Sequence, residues 1–201
     1  MVLHGLAYEI CLVYLDDIIV FGRTFEEQMQ RLEAVFQRLR WARLKLKPSK
    51  CSLLQRQVEF LGHTVSQDGV AMQRSKIEAV IDWPQPKDIH QLRSFLGLCS
   101  YYRRFIEGFA DTAAPLHALT GKSTPFHWGP EQEAAFAELK TKLTTAPVLG
   151  MPANEGQYIL DTDASDVGLG AVLSQEQDGV ERPIAFASRT LQKAERNYET
   201  T

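Results

Sequence analysis

Cysteine is scarce here, and its placement excludes more than its number. The three residues, Cys11, Cys51 and Cys99, are odd in count and never in CxxC spacing, so neither a disulfide framework nor a zinc knuckle is indicated. Reduced, buried thiols are expected. Long apolar runs are absent too: nothing approaches the roughly 20 residues of a membrane helix, and the first residues lack a basic start, an apolar middle and a small-residue cleavage site. The expectation is a soluble intracellular protein, cytoplasmic or nuclear, with no membrane partner. No internal repeat or low-complexity tract appears. The 201 residues, 44% apolar and 23% charged, suffice for one large or two small globular domains.

The small net charge of −3 hides an asymmetry. Between Arg31 and Arg56 there are eight basic residues (Arg31, Arg38, Arg40, Arg43, Lys45, Lys47, Lys50, Arg56) against one acid, Glu33. From Gly150 onward nine acids face four bases. A basic block beside an acidic one suits a region that holds a polyanion and another that gathers carboxylates for metals. A solvated basic helix face is the plainer alternative.

Residues 11–22, "CLVYLDDIIVFG", read as a hairpin with its turn at or next to Asp16 and Asp17. Thr24 with Glu27 forms a capping-box signature, and Met29, Leu32, Phe36, Leu39 and Arg43 recur at helical spacing, predicting a helix over 24–44. "CSLLQ", "QVEFLGHTV" and "GVAMQ" read as strands. Ser75 with Glu78 and Asp88 with Gln91 start two further helices, hinged by "WPQPKD". A short Ala-rich helix ending near Leu119 and another from about Pro130 follow. "APVLGMPANEG" reads as a linker and a domain boundary. Beyond it come three strands, "QYILDTDAS", "GLGAVLSQ" and "RPIAFASRTL", with turns containing Asp166, Gly168, Asp178 and Gly179. A helix then begins in "KAERNYETT".

Two carboxylates at a tight strand turn can ligate divalent metals, because the hairpin fixes their backbone while the arms satisfy their own hydrogen bonds. Buried without a cation they would repel. Aspartate is also a favoured turn residue, a reading that needs no metal.

With these motifs in one order, the chain resembles the polymerase of Ty3/gypsy-type retroelements. "YLDD" resembles the catalytic turn of reverse transcriptases, and "VYLDDIIVFGRTFEEQMQRLEAVFQRL" with "LKLKPSKC" resembles their palm. "VEFLGHTVSQDGV" is similar to the strand pair gripping the primer end, and residues 76–122 to the thumb and connection. "LDTDASDVGLGAVLSQ" with "RPIAFASRTLQKAERNY" resembles the start of the attached ribonuclease H domain.

The resemblance implies RNA-directed DNA polymerisation and hydrolysis of RNA in RNA–DNA hybrids, both with two magnesium ions. The implied partners are RNA–DNA or DNA–DNA primer–templates, dNTPs and the remainder of a Pol polyprotein. Asp16 and Asp17 match the polymerase metal pair, Asp16 being the nearer match to a direct ligand, and Asp163 matches the first ribonuclease H aspartate. Tyr14 matches the aromatic beneath the primer end or templating base. Phe60, Leu61, Gly62 and His63 match the primer grip. Arg93, Tyr101, Tyr102, Arg103 and Arg104 offer cations and ring faces for phosphate contact and stacking.

The fold implied is α+β: a partial palm (the YLDD hairpin plus its helix) with grip strands over 1–72, a helical thumb and connection over 73–146, and an incomplete ribonuclease H-like mixed sheet over 147–201. Both sites look incomplete. Glu9 is the sole acid before Tyr14, and Glu195 and Glu199 are out of register for the ribonuclease H glutamate, which would fall just past Thr201. The expectation is therefore an isolated chain that is inactive, or nearly so. The alternative is a catalytically dead, truncated or host-adopted remnant that binds nucleic acid.

Overall fold

The computed structural model describes residues 2–121, 124–165, 168–192 and 194–195. Asp166, Tyr198 and Glu199 lie outside these residues, as does most of the helix expected from Lys193. Elements of both kinds alternate in an α+β chain that forms two compact units, residues 1–61 and 62–201.

In the first unit β1 (Cys11–Tyr14) pairs antiparallel with β2 (Asp17–Val20), Tyr14 standing opposite Asp17. Leu15 and Asp16 are then a two-residue loop, and Leu15 takes the left-handed φ of 51° that such tight hairpins demand. Helix α1 (Phe25–Trp41) begins as expected, with Thr24 Oγ1 accepting from the Glu27 N–H at 3.2 Å. The return bond falls one residue early, since the Glu27 carboxylate accepts from the Arg23 N–H at 2.6 Å.

The buried face of α1 is Leu32, Val35 and Leu39, while the expected Met29 and Phe36 are 44% and 37% exposed. Val35 sits three after Leu32 and four before Leu39, which turns the apolar stripe away from Phe36. Val35 and Leu39 close on Leu3 and Cys11, with Val13 and Ile18 of the hairpin packed against them. "CSLLQ" is not a strand: Leu54 adopts a φ of 53°, which breaks an extended run, and Cys51 is exposed rather than buried. A short strand, β3 (Gln57–Phe60), ends the unit.

The second unit opens with β4 (His63–Ser66) paired antiparallel to β5 (Gly69–Met72). The single strand expected over 57–65 is interrupted at Leu61 and Gly62, whose φ angles are 50° and 75°. Helix α2 (Arg74–Ile81) lacks the expected Ser75 cap; its N-cap is Gln73, and Glu78 pairs instead with Arg74 one turn back, at 3.0 Å. Helix α3 (Ile89–Tyr101) has the expected cap, Asp88 accepting from the Gln91 N–H at 2.8 Å. After a 3-10 turn at Arg103–Phe105 come α4 (Phe109–Ala118) and α5 (Pro130–Thr144).

These helices bury Leu92, Phe95, Cys99, Leu116, Phe136 and Leu139 in one core, with the Phe95 and Phe136 rings 4.6 Å apart. The segment that composition marks as a linker is packed against this unit: Leu149 is fully buried and exchanges both backbone hydrogen bonds with Val70. The last sheet is β6 (Tyr158–Ala164), β7 (Gly168–Gln177) and β8 (Val180–Thr190), in that order. A mixed sheet is expected, yet its pairing among the described residues is antiparallel, because short turns such as Asp178–Gly179 join consecutive strands. The Arg103–Phe105 turn and α4 lie against β8, where the Ala110 N–H donates to Ser188 Oγ at 2.9 Å.

Candidate nucleic-acid and metal sites

The hairpin places Asp16 and Asp17 at its tip, both exposed. The charge problem posed by the apolar flanks is thereby solved: Val13 and Ile18 turn partly inward while the carboxylates stay in water. Neither makes an ion pair among the described residues, and Tyr14 beside them is 56% exposed. Adjacent hard oxygen donors on a fixed backbone fit part of a divalent-ion ligand set. No group of three or more His, Cys, Asp or Glu side chains converges as a metal site among the described residues. The remaining ligands would have to come from outside these two side chains.

The basic block lies on the same unit. Arg31 is engaged, pairing with Glu27 and donating to the Phe21 carbonyl at 2.7 Å, whereas the other seven basic residues are exposed. A shallow groove of about 520 Å³ beside Arg38 is walled by Trp41, which is 78% exposed. A cation beside an open indole face suits phosphate and base contact.

The grip residues divide between two settings. Phe60 ends β3 half-buried, and Leu61 forms the turn with Gly62. His63 starts β4 within an aromatic cluster, stacked on Tyr101 at 5.4 Å and 15°, and edge-on to Tyr102 at 5.4 Å and 82°. Burial, with a smaller contribution from Arg104, holds the His63 imidazole below its ordinary pKa. Its Nδ1 is buried without a hydrogen-bond partner among the described residues.

Most of the expected thumb contacts have other work. Tyr102 is 1% exposed and donates its hydroxyl to the Gly62 carbonyl at 2.7 Å, so its ring presents no face for stacking. Burial first, and Tyr101 second, push that phenol up to about 12. Arg103 donates to the Ser188 carbonyl and lies over the Phe109 ring; Arg104 donates to the Ile184 carbonyl at 3.3 Å. Arg93 caps the carbonyl of Thr120 at 3.0 Å. In this group Tyr101 is the exposed ring, at 53%. The sequence offers five equivalent cations and aromatics; which of them face inward depends on distant partners, Gly62 for Tyr102 and strand β8, 80 and 85 positions downstream, for Arg104 and Arg103.

Asp163, near the end of β6, stands opposite Gly170, which stands opposite Ser188 on β8. Asp161, two residues back, shares its face, in the row of Val172 and Phe186. Because Gly170 has no side chain, the row stays open beside Asp163, and a groove of about 600 Å³ runs along Asp163, Phe186, Ser188, Arg103 and Arg189. The turn after Asp163 is tied by Ser165 Oγ, which accepts from the Gly168 N–H at 3.0 Å.

Sequence reasoning overlooked Arg189. It holds Glu195 in a two-pronged pair at 2.7 and 2.8 Å, which keeps that carboxyl at about 2. The signal was the alternation of "FASRT", which sets Phe186 and Ser188 on one face and Arg189 at the rim.

Comparison with known proteins decides what this geometry belongs to. A family described as "Reverse transcriptase (RNA-dependent DNA polymerase)" matches residues 2–65, and an "RNase H-like domain found in reverse transcriptase" matches residues 128–201. The Pol polyprotein of the Drosophila melanogaster transposon 297 is 41% identical over 198 residues, covering 98% of this chain. The chain belongs to the reverse transcriptase family of retrotransposon Pol polyproteins. It spans 18% of that relative's length and 14% of a Schizosaccharomyces pombe Tf2 polyprotein that is 35% identical over 189 residues.

Solved reverse transcriptases share the fold. A foamy viral protease-reverse transcriptase in complex with double-stranded DNA matches 98% of this chain and 35% of its own at 26% identity, with a TM-score of 0.86. A second, in complex with an RNA/DNA hybrid, matches 94% of this chain and 26% of its own, with a TM-score of 0.79.

Proposed function

We propose that this reverse transcriptase chain carries the metal-holding hairpin and primer grip of an RNA-directed DNA polymerase over residues 1–72, its thumb and connection over 73–146, and the first strands of its ribonuclease H from 147 onward. The observation that carries the reading is the tip of the first hairpin. Asp16 and Asp17 stand there side by side, exposed and free of ion pairs among the described residues, on a backbone fixed by two paired strands. Two magnesium ions held there would lower the pKa of a primer 3′-hydroxyl and neutralise the phosphates of a dNTP. Asp16 and Asp17 would supply carboxylate oxygens to them; Tyr14, beside the tip, would lie beneath the primer end or templating base.

In the first unit the exposed cations between Arg38 and Arg56 would supply charge for a primer–template, and in the second the exposed Tyr101 ring would offer a stacking face, in keeping with the double-stranded DNA and RNA/DNA hybrid of the foamy viral neighbours. Asp163, in its open groove, would hold a divalent ion at the ribonuclease H site.

The test is binding of a labelled RNA–DNA primer–template by the purified chain, with and without divalent ions. The expected affinity falls steeply with salt, as phosphate neutralisation requires. Manganese, a spectroscopic stand-in for magnesium, should enhance binding, and the combined Asp16→Asn and Asp17→Asn variant should lose that enhancement. Salt-independent binding, or a manganese effect indifferent to both aspartates, would overturn the reading.

A further inference from the structure

We propose that Tyr102 is a positioning residue for the primer grip: its hydroxyl, donating to the Gly62 carbonyl, fixes the orientation in which the turn at 61–62 meets the 3′ end of a primer strand. The proposal rests on the primer-grip reading of residues 60–63 and names what holds that turn.

The Gly62 carbonyl accepts two hydrogen bonds, from Tyr102 Oη at 2.7 Å and from the Gln73 N–H at 3.0 Å. Two donors converging on one oxygen fix a peptide plane that a two-residue turn would otherwise let rotate. The phenol is itself immobilised. It follows α3 directly, is 1% exposed, and is wedged between the Tyr101 ring at 4.8 Å and 89°, the Phe105 ring at 6.2 Å and the edge of His63. A buried hydroxyl that lost its acceptor would be stranded, so the bond persists while the core around it stays packed.

The turn also requires glycine at position 62. A Cβ there would lie 2.8 Å from Tyr102 Oη, whereas the next atoms, on Tyr101 and Tyr102, are 3.8 and 3.9 Å away. The close approach is therefore made by one oxygen atom, and removing that atom would make room for a methyl group. The φ of 75° adds a backbone penalty for any other residue. A tie of this kind transmits the position of α3 and the Arg103–Phe105 turn to the grip without touching nucleic acid.

The experiment compares the purified chain with Tyr102→Phe, Gly62→Ala and the combined variant, each at a temperature where circular dichroism shows it folded. The readout is the affinity ratio between a recessed primer–template and a blunt duplex of the same length. A merely structural tie would not move that ratio. Tyr102→Phe should lower the preference about three- to tenfold, the equivalent of one lost hydrogen bond. Gly62→Ala should lower it further, and adding Tyr102→Phe to Gly62→Ala should restore part of the loss, since the colliding oxygen is gone.

The proposal is overturned if Tyr102→Phe keeps the wild-type ratio, or if the combined variant does no better than Gly62→Ala. Should Gly62→Ala fail to fold, Tyr102→Phe alone decides. A wild-type chain that shows no preference for the recessed end fails before any variant is made; that result sinks the grip reading and takes the proposal with it.

Discussion

The two units of this chain put their hydrophobic side chains to different uses. In the second, the core gathers Leu92, Phe95, Cys99, Phe105, Leu116, Phe136 and Leu139 into one aromatic-rich cluster, while the first closes on Leu3, Cys11, Val35 and Leu39. Among the described residues the shorter first unit leaves seven large apolar side chains more than half exposed, Trp41 and Leu15 among them, against five in the second, alongside eight exposed cations and the carboxylate pair. A large dry core can hold a turn or a strand rigidly at a distance. A small one leaves more of its unit's apolar side chains in water. In this reverse transcriptase family chain the larger core thus lies in residues 62–201, and the exposed carboxylate pair in residues 1–61.

The sharpest way to break this contrast is to empty each core. Phe95 is fully buried between Phe136 and Trp83, with ring centroids 4.6 and 5.8 Å away, so Phe95→Ala should cost about 3–5 kcal/mol through lost transfer energy and a poorly collapsing cavity. Leu39→Ala in the first unit should cost about 2 kcal/mol, the lower end for such truncations, because its neighbours are few and partly hydrated. Hydrogen exchange resolves the two effects. Protection should fall across α3 and α5 in the first variant and across α1 in the second. Equal losses would show that the cores are equivalent and the contrast is wrong.

Acid should sharpen it, because the second unit holds two histidines with depressed pKa values. Burial, then Arg104, lowers His63; burial, then Arg103, lowers His117. Below the unfolded value of about 6.5 the unfolded chain binds protons that the folded chain refuses, so stability rises with pH across that window and is lost on acidification through it. Thermal unfolding followed from pH 7.5 to 5 should show the second unit weakening. His63→Phe, which keeps a ring on Tyr101, should flatten part of that slope. An unchanged slope would mean that His63 is not held neutral by its surroundings.

Local signals were legible and long-range ones were not. The hairpin register, the caps at Thr24 and Asp88, the start of α5 at Pro130 and the three final strands all follow from spacing and turn chemistry within a few residues. The departures have tertiary causes. Val35 displaces Phe36 because the partners of α1 are the hairpin and Leu3, and Leu149 leaves its expected linker role because β5 offers a free edge at Val70.

The same holds at the candidate sites. Asp16, Asp17 and Asp163 are readable as carboxylates at strand ends, but nothing near Tyr102 says that its hydroxyl belongs to Gly62, 40 positions away, or that Arg103 belongs to Ser188, 85 away. Cys51 was misjudged for a related reason: a buried thiol needs a strand there, and the left-handed Leu54 denies it one.

The smallest effect asks whether equal local interactions weigh equally in the two units. Thr24 and Asp88 both accept from the N–H three residues on, at 3.2 and 2.8 Å, so replacing either by alanine removes the same kind of bond at about 1 kcal/mol. The Asp88 bond is charge-assisted and shorter, which places its loss at the upper side of that figure. Helix α3 also carries four fully packed side chains, Leu92, Phe95, Leu96 and Cys99, that hold it without its cap, whereas α1 rests on Leu32, Val35 and Leu39. Thr24→Ala should therefore fray the first turn of α1 and speed exchange of its early amides. Asp88→Ala should lower global stability while leaving α3 protected. If exchange accelerates equally at both helix starts, packing does not back up the cap in α3, and the greater rigidity ascribed to residues 62–201 does not reach the ends of its helices.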